Sequence, residues 1–311
     1  QFEILEAQNP DDLNVKMKMA LILMDRKQYD QAISYLNMIL VQEPNLDRVQ
    51  FYLAAIYEEV KRHTEAIKYF SKISPTSQYY SDSVIHMTYL HKLQGNLDQA
   101  MLSIQEGVKH RSDVVEFYTL YASLLDETKQ YARALEMLKD AVQRFPANPQ
   151  ILFYLGSMHD KLGDFPNTIT YMNKVLDVDQ NHVQSLNYLA YTYAEKNIEL
   201  ELAEKLVRKA LKITPNDGYV MDTLGWVLFK KGDIKNAVAT LEKAFELKNT
   251  ESVIAEHLGD AYYKYQLPEK AKDMYLKAVR VENDNLNIEK LQGKIKAIEE
   301  QNYRQPASDS P

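Results

Sequence analysis

Short alanine-centred segments recur along this chain at one fixed interval, and no other feature constrains its fold as much. Tyr29-Asp-Gln-Ala32, Thr64-Glu-Ala66, Leu97-Asp-Gln-Ala100 and Tyr131-Ala-Arg-Ala134 come first. Pro166-Asn-Thr168, Glu201-Leu-Ala203, Ile234-Lys-Asn-Ala237 and Pro268-Glu-Lys-Ala271 follow. Their last residues stand 34 apart at every step except one of 35, between Thr168 and Ala203. Twelve residues before these anchors lie Ala20, Ala54, Thr88, Ala122, Gly156, Gly225 and Gly259, with Ala190 thirteen before because of one inserted residue near Asn197. Seven residues after them lie Ile39, Ile73, Gly107, Ala141, Val175, Ala210, Ala244 and Ala278, and Pro44, Pro146 and Pro215 close several units. Small residues at such places let two helices approach closely, while large apolar residues between them fill the grooves. Eight anchors predict eight helix–turn–helix units, none able to bury its apolar face except by stacking on a neighbour.

Composition agrees. Only nine glycines and ten prolines occur in 311 residues, and good helix formers abound, which argues against a β-rich fold. The formal net charge is −7, and no Lys/Arg cluster is denser than Lys205-Leu-Val-Arg208-Lys209. Phosphate-gripping proteins usually carry a basic stripe, so nucleic acid is not expected as a partner. A partner drawn by long-range charge would be basic or neutral. There is no cysteine, which excludes disulfides, thiolate metal sites and thiol catalysis without locating the protein. No apolar run reaches the roughly 18 residues of a membrane span, and no signal peptide is visible. The chain starts at Gln1 without a methionine and reads as a processed or excised piece.

In combination these motifs are specific. Leu224-Gly225-Trp226, Gly232-Asp233, Ala237, Leu241 and Ala244 form one well-marked unit. Leu155-Gly156 and Leu258-Gly259-Asp260-Ala261-Tyr262 mark two more. Over nearly its whole length the sequence resembles the tetratricopeptide-repeat family. The resemblance implies an all-α fold: a right-handed α-solenoid of about eight helix–turn–helix units over 11–284 with a C-terminal capping helix. The third unit departs most, with Thr88 and His91 where the family prefers Gly/Ala and Tyr/Leu. The second ends at Ser74-Pro75, so its second helix is expected to be short and 71–80 to be a weak point. Leu186-Asn-Tyr-Leu-Ala-Tyr-Thr-Tyr-Ala-Glu195 and Asp222-Thr-Leu-Gly-Trp226 look like a subgroup from Gram-negative bacteria that includes envelope lipoproteins acting as scaffolds. That likeness implies a bacterial periplasmic or outer-membrane setting, with the cytoplasm as the alternative.

At the ends, counting back 34 from Leu36, Ile39 and Pro44 lands on Phe2, Leu5 and Pro10. The segment 1–10 therefore reads as the end of a truncated upstream repeat; a short capping helix is the alternative. Leu286, Ile288, Leu291, Ile295 and Ile298 recur at helical spacing among charges, predicting an amphipathic capping helix over 285–301. A membrane-surface helix is the other reading, but the polar face is mixed in sign. The tail 302–311 is polar and proline-bearing, which predicts disorder.

Motifs that carry chemistry are missing. None of the seven histidines sits in HExxH spacing or beside a second histidine three or four away, and His86 and His91 lie five apart. No metal or other cofactor is expected. Neither a phosphate-cradling glycine loop nor a Gly-x-Ser-x-Gly elbow occurs. Adjacent carboxylates such as Glu58/Glu59 and Asp126/Glu127 read as solvated surface. The chain is not expected to be an enzyme.

What remains is a binding surface. The resemblance implies that the first helix of each unit, helix A, lines a concave groove with its second, fifth, ninth and twelfth positions. These include Phe51 in unit two, Tyr89 in unit three and Phe153 in unit five. Unit six supplies Asn187 and Tyr191, unit seven Tyr219, Asp222 and Trp226, and unit eight Glu256, Asp260 and Tyr263. Aromatic anchors beside acids suit a protein or peptide partner, held chiefly by Tyr191, Tyr219, Asp222, Trp226 and Asp260. The alternative is that Trp226 and the tyrosines pack between successive A helices. A clamp for a terminal carboxylate is not expected, because Met17, Leu21, Arg48 and Tyr52, or Asn187, Tyr191, Tyr219 and Thr223, mostly lack its basic residues. The leading function is a non-enzymatic scaffold or adaptor. A self-associating structural element, with homo-oligomers, and the repeat arm of a larger enzyme are the alternatives.

Overall fold

The computed structural model describes residues 12–304. The expected upstream helix end at Gln1–Pro10 lies outside the described residues, and so does 305–311 of the expected tail, whereas 302–304 continue the terminal helix, Asn285–Arg304. Among the described residues there are seventeen helices and no strand. The chain divides into two compact units between Pro146 and Ala147.

The first unit holds four hairpins: α1 (Leu13–Asp25) with α2 (Tyr29–Gln42), α3 (Asp47–Glu59) with α4 (His63–Phe70), α5 (Tyr80–Leu93) with α6 (Leu97–His110), and α7 (Val115–Glu127) with α8 (Tyr131–Arg144). The second holds four more: α9 (Pro149–Lys161) with α10 (Phe165–Val178), α11 (Val183–Lys196) with α12 (Leu200–Ile213), α13 (Gly218–Lys230) with α14 (Ile234–Leu247), and α15 (Ser252–Lys264) with α16 (Pro268–Val281). A terminal helix, α17 (Asn285–Arg304), follows. These are the eight helix–turn–helix units that the 34-residue register predicts, with the terminal helix that the spacing of Leu286 to Ile298 predicts.

The register works through burial. All eight anchors, Ala32, Ala66, Ala100, Ala134, Thr168, Ala203, Ala237 and Ala271, have no exposed surface. Thr168 keeps its hydroxyl satisfied by donating to the Asp164 carbonyl at 3.1 Å. At the facing position on helix A the two helices come closest. A Cβ on Gly225 would lie 2.5 Å from Leu241 Cγ, and one on Gly259 would lie 2.5 Å from the Tyr275 ring. Only glycine fits that approach unless the neighbour shifts.

Turns between A and B helices use one left-handed residue: Lys27, Lys61, Gly95, Lys129, Gly163, Gly232 and Gln266 all have positive φ. In unit two, Arg62 N–H donates to the Tyr57 carbonyl at 2.7 Å and Lys61 N–H to the Glu58 carbonyl at 2.9 Å, which satisfies two carbonyls in the last turn of α3. Unit six spends two left-handed residues, Asn197 (φ 53°) and Glu199 (φ 46°), around Ile198. That is where the 35-residue step is absorbed. Helix α4 has 8 residues against 14 in the other B helices. Pro75 disfavours a helical Ser74, and Ser74 N–H instead donates to Asp47 Oδ1 at 3.2 Å.

Asp12, Asn148 and Asp217 cap helices α1, α9 and α13 by accepting backbone N–H groups. Terminal helix α17 buries Leu291 and Ile298 in a core shared with Tyr275 and Ala278. No helix among the described residues is long and apolar enough to cross a membrane.

Candidate functional site

The sequence-expected residues separate into three neighbourhoods. In the first unit, Phe51 on α3 stacks on Tyr79 with centroids 5.0 Å apart and meets Phe70 edge-on at 5.7 Å. It is therefore a packing residue between unit two and the turn that precedes unit three. Tyr89 on α5 is 54% exposed. Neither belongs to the second unit's sites.

In the second unit, helices α11, α13 and α15 bring Tyr191, which is partly buried, together with Asp222, Trp226 and His257. Trp226 lies against His257, with centroids 4.1 Å apart and planes 13° apart, and against Phe229 at 4.9 Å. Its Nε1–H donates to Glu195 Oε1 at 2.6 Å. His257 Nδ1 is 3.0 Å from both Asp222 carboxylate oxygens, and the Tyr191 ring is 6.2 Å from the imidazole. Trp226, Asp222 and His257 are all buried. Of the two roles weighed for Trp226, this geometry matches packing between successive A helices. Burial opposes charge on His257, but Asp222, with Asp260 and Glu256 behind it, outweighs burial and raises the imidazole pKa. Burial, helped by Glu195 and Asp222, raises the Tyr191 hydroxyl.

Glu256 and Asp260 continue this block along α15, and α17 covers them. Lys294 Nζ reaches Glu256 at 2.7 Å and Asp260 at 2.5 Å, and Lys290 Nζ reaches Glu256 at 2.8 Å. Tyr275 O–H also donates to Asp260 Oδ1 at 2.7 Å. Burial works against the Glu256 charge, yet the two ammonium groups hold its carboxyl below the usual range. These acids are therefore matched within the chain. The lysines were missed in the sequence although a signal existed: Lys290 and Lys294 stand 34 residues after Glu256 and Asp260, so α17 continues the helix A register. Tyr263, at the far end of α15, is 39% exposed.

The third neighbourhood is open. Phe153 on α9, Asn187 and Tyr188 on α11, and Tyr219 and Val220 on α13 line a cleft of about 520 Å³, together with Asp179, His182 and Asp217. Phe153 meets Tyr188 edge-on at 6.0 Å and His182 at 5.5 Å. Tyr219 is 46% exposed, and its O–H donates to Glu251 Oε1 at 2.7 Å. Tyr188 O–H donates to Asp160 Oδ2 at 2.7 Å. Asn187 Oδ1 is buried in the wall of this cleft and has no hydrogen-bond partner among the described residues. Leaving a buried acceptor unpaired costs about 1 to 3 kcal/mol. Tyr188 and the orphaned Asn187 oxygen carried no signal in the repeat pattern. Among the described residues, no group of three or more His, Asp or Glu is placed to hold a metal ion.

Residues 124–290 match a tetratricopeptide-repeat family, and residues 17–79 match a second family of the same description. A TPR repeat-containing protein of Pseudomonas aeruginosa is 23% identical over 69% of this chain and 36% of its own length. The anaphase-promoting complex subunit CDC16 of Saccharomyces cerevisiae is 25% identical over 68% of this chain and 26% of its own. The chain thus spans only a minor part of these relatives. Among solved structures, a tetratricopeptide repeat protein from Parabacteroides merdae has a TM-score of 0.58 at 15% identity, covering 92% of this chain and 98% of that one. A structure of the APC/C hetero-tetramer Cut9-Hcn1 has a TM-score of 0.64 at 13% identity, covering 96% of this chain and 58% of that one. At these identities the structural likeness shows the fold alone.

Proposed function

Because this chain belongs to the tetratricopeptide-repeat family, we propose that it is a protein-interaction scaffold that holds a segment of a partner protein on the A-helix face of its second unit. The observation that carries this reading is the cleft of Phe153, Asn187 and Tyr219. It joins the exposed ring of Tyr219 to Phe153 and to polar side chains in one lining. An extended peptide supplies side chains for the rings and backbone groups for the polar residues of the lining. On this reading Asp222 and His257, and Glu256 and Asp260 with their lysines, fasten neighbouring helices to one another. The name of the yeast relative, a subunit of a complex, supports a role in assembly.

The test is selection of random peptides displayed on phage against the whole chain. A recovered peptide is expected to bind the Asn187→Ala/Tyr219→Ala variant about tenfold or more weakly, since truncating a hot-spot residue costs at least about 1 to 2 kcal/mol. Helix content and thermal midpoint report that the variant is folded. Equal affinity for both proteins removes the cleft from the proposal.

A further inference from the structure

Independently of the cleft, we infer that the second unit carries a self-complementary edge on which a second copy of this chain docks, antiparallel, about a two-fold axis. Helices α10, α12, α14 and α16 end on Val178, Ile213, Leu247 and Val281. Each stands ten residues after its anchor, and they are exposed by 48%, 44%, 45% and 39%. Each helix from α9 to α17 packs on the next, so equivalent positions line up as one row. In the first unit the same positions hold Gln42, Thr76, His110 and Arg144, all polar. Single exposed aliphatics are ordinary, but one at the same position of four successive hairpins makes a continuous apolar strip.

The residues just before them select the occupant. Asp177, Lys212, Glu246 and Arg280 alternate in sign along the row and are exposed. Among the described residues none of the four takes part in an ion pair or a side-chain hydrogen bond. A two-fold axis between Ile213 and Leu247 sets Ile213 on Leu247 of the second copy, and Val178 on Val281 of the second copy. The same axis brings Lys212 to the opposite Glu246 and Asp177 to the opposite Arg280, so every one of these charges is matched. Sliding the second copy by one hairpin either way opposes like charges, and so does a parallel arrangement. Like charges so placed oppose binding, which singles out one register. The lysines one turn earlier, Lys174, Lys209, Lys243 and Lys277, are alike in all four helices and do not discriminate between registers. Asp179 and Glu282, which would also face each other, are turned onto backbone N–H groups of Asn181 and of Asn283 and Asp284.

Other occupants match less of the edge. An anionic lipid surface would meet Asp177 and Glu246 within the row, and a segment of uniform charge would be repelled by every second position. Specific interfaces bury about 800 Å² on each partner, and a strip of this kind lies at the low end, so the dimer should be concentration-dependent. Its charge pairs are exposed, so salt should weaken it.

The experiment is sedimentation velocity of the full 311-residue chain across a wide range of concentration. A monomer–dimer equilibrium is expected. Ile213→Ser/Leu247→Ser should raise its Kd about tenfold or more, because the centre of the contact loses its apolar surface. Lys212→Glu sets acid against acid and Glu246→Lys sets lysine against lysine, and each should weaken the dimer about tenfold. Lys212→Glu/Glu246→Lys puts opposite charges together again and should return the Kd to near that of the parent. All these side chains are exposed, and circular dichroism checks that each variant keeps its helices. A chain that stays monomeric, single reversals that change nothing, or a double reversal that recovers nothing overturns the assignment. So does a monomeric chain captured by phosphatidylserine vesicles and released by Ile213→Ser/Leu247→Ser, which would give the row to a lipid surface.

Discussion

Trp226 on α13 and His257 on α15 stack with centroids 4.1 Å apart, while Asp222 on α13 holds the same imidazole through Nδ1 at 3.0 Å. One histidine is thus gripped twice by the neighbouring A helix, once on its face and once on its edge. The contact locks units seven and eight together, and Glu195 on α11 extends the lock to unit six through the indole N–H.

Trp226→Ala should destabilise the second unit by about 3 to 5 kcal/mol, as burying then deleting a large aromatic does. Trp226→Phe keeps most of the packing but strands Glu195, and should cost about 1 kcal/mol. Urea unfolding followed by circular dichroism measures both. A midpoint that does not move in the alanine variant would mean that the stack carries no stability.

Protonation of His257 should make the second unit more stable in mild acid than in base. Its folded pKa is raised above the ordinary 6.5. A raised group contributes stability that is full below the unfolded pKa and is lost as pH rises through the folded one. His182, lowered by burial, acts with the opposite sign as pH falls below about 6.5. The urea midpoint should therefore fall between pH 6.5 and the higher folded pKa. In His257→Gln that fall should disappear, and the difference between the two profiles isolates this group.

Gly259→Ala and Gly293→Ala should change stability in opposite directions, although the two residues are 34 apart in one register. A Cβ at 259 meets the Tyr275 ring at 2.5 Å, and overpacking of that kind costs about 1 to 3 kcal/mol. A Cβ at 293 has no atom within 4 Å, so alanine there gains up to about 1 kcal/mol of helix propensity. Thermal denaturation of the two variants decides it. A loss at 293 equal to that at 259 would count against the geometry.

Lys294 and Lys290 should differ in weight. The Lys294 side chain is 25% exposed and faces Glu256 and Asp260, themselves 15% and 21% exposed. Lys294→Ala strips a partner from two half-sheltered carboxylates and should cost about 1 to 3 kcal/mol. Lys290 is 59% exposed, and its loss should cost less than about 1 kcal/mol. Amide exchange along α17 is the readout. Equal protection in both variants would show that the ion pairs do not fasten this helix.

Much of the fold was legible because close packing leaves few residue types at a helix crossing. Ala32 through Ala271 announce themselves by size alone, and the extra residue near Asn197 shows as one 35-residue step. Ser74-Pro75 marks the end of α4 for a backbone reason equally local. The binding face was legible only as a set of positions. Helix A register places Tyr191, Asp222 and Trp226 on one side, but the same residues can face a ligand or the next helix. Only the packed structure shows His257 filling that space and Lys290 and Lys294 covering Glu256 and Asp260.

The sequence by itself determined the architecture, since a 34-residue pattern of small and apolar residues can be buried only by stacking one kind of hairpin. Tertiary structure alone decided which polar groups are spent and which are left over. Asn187 Oδ1 is orphaned, whereas Asp222 is not, because of what a neighbouring helix brings within about 3 Å of each. Distances of that kind depend on how helices dock, and no spacing along the chain encodes them.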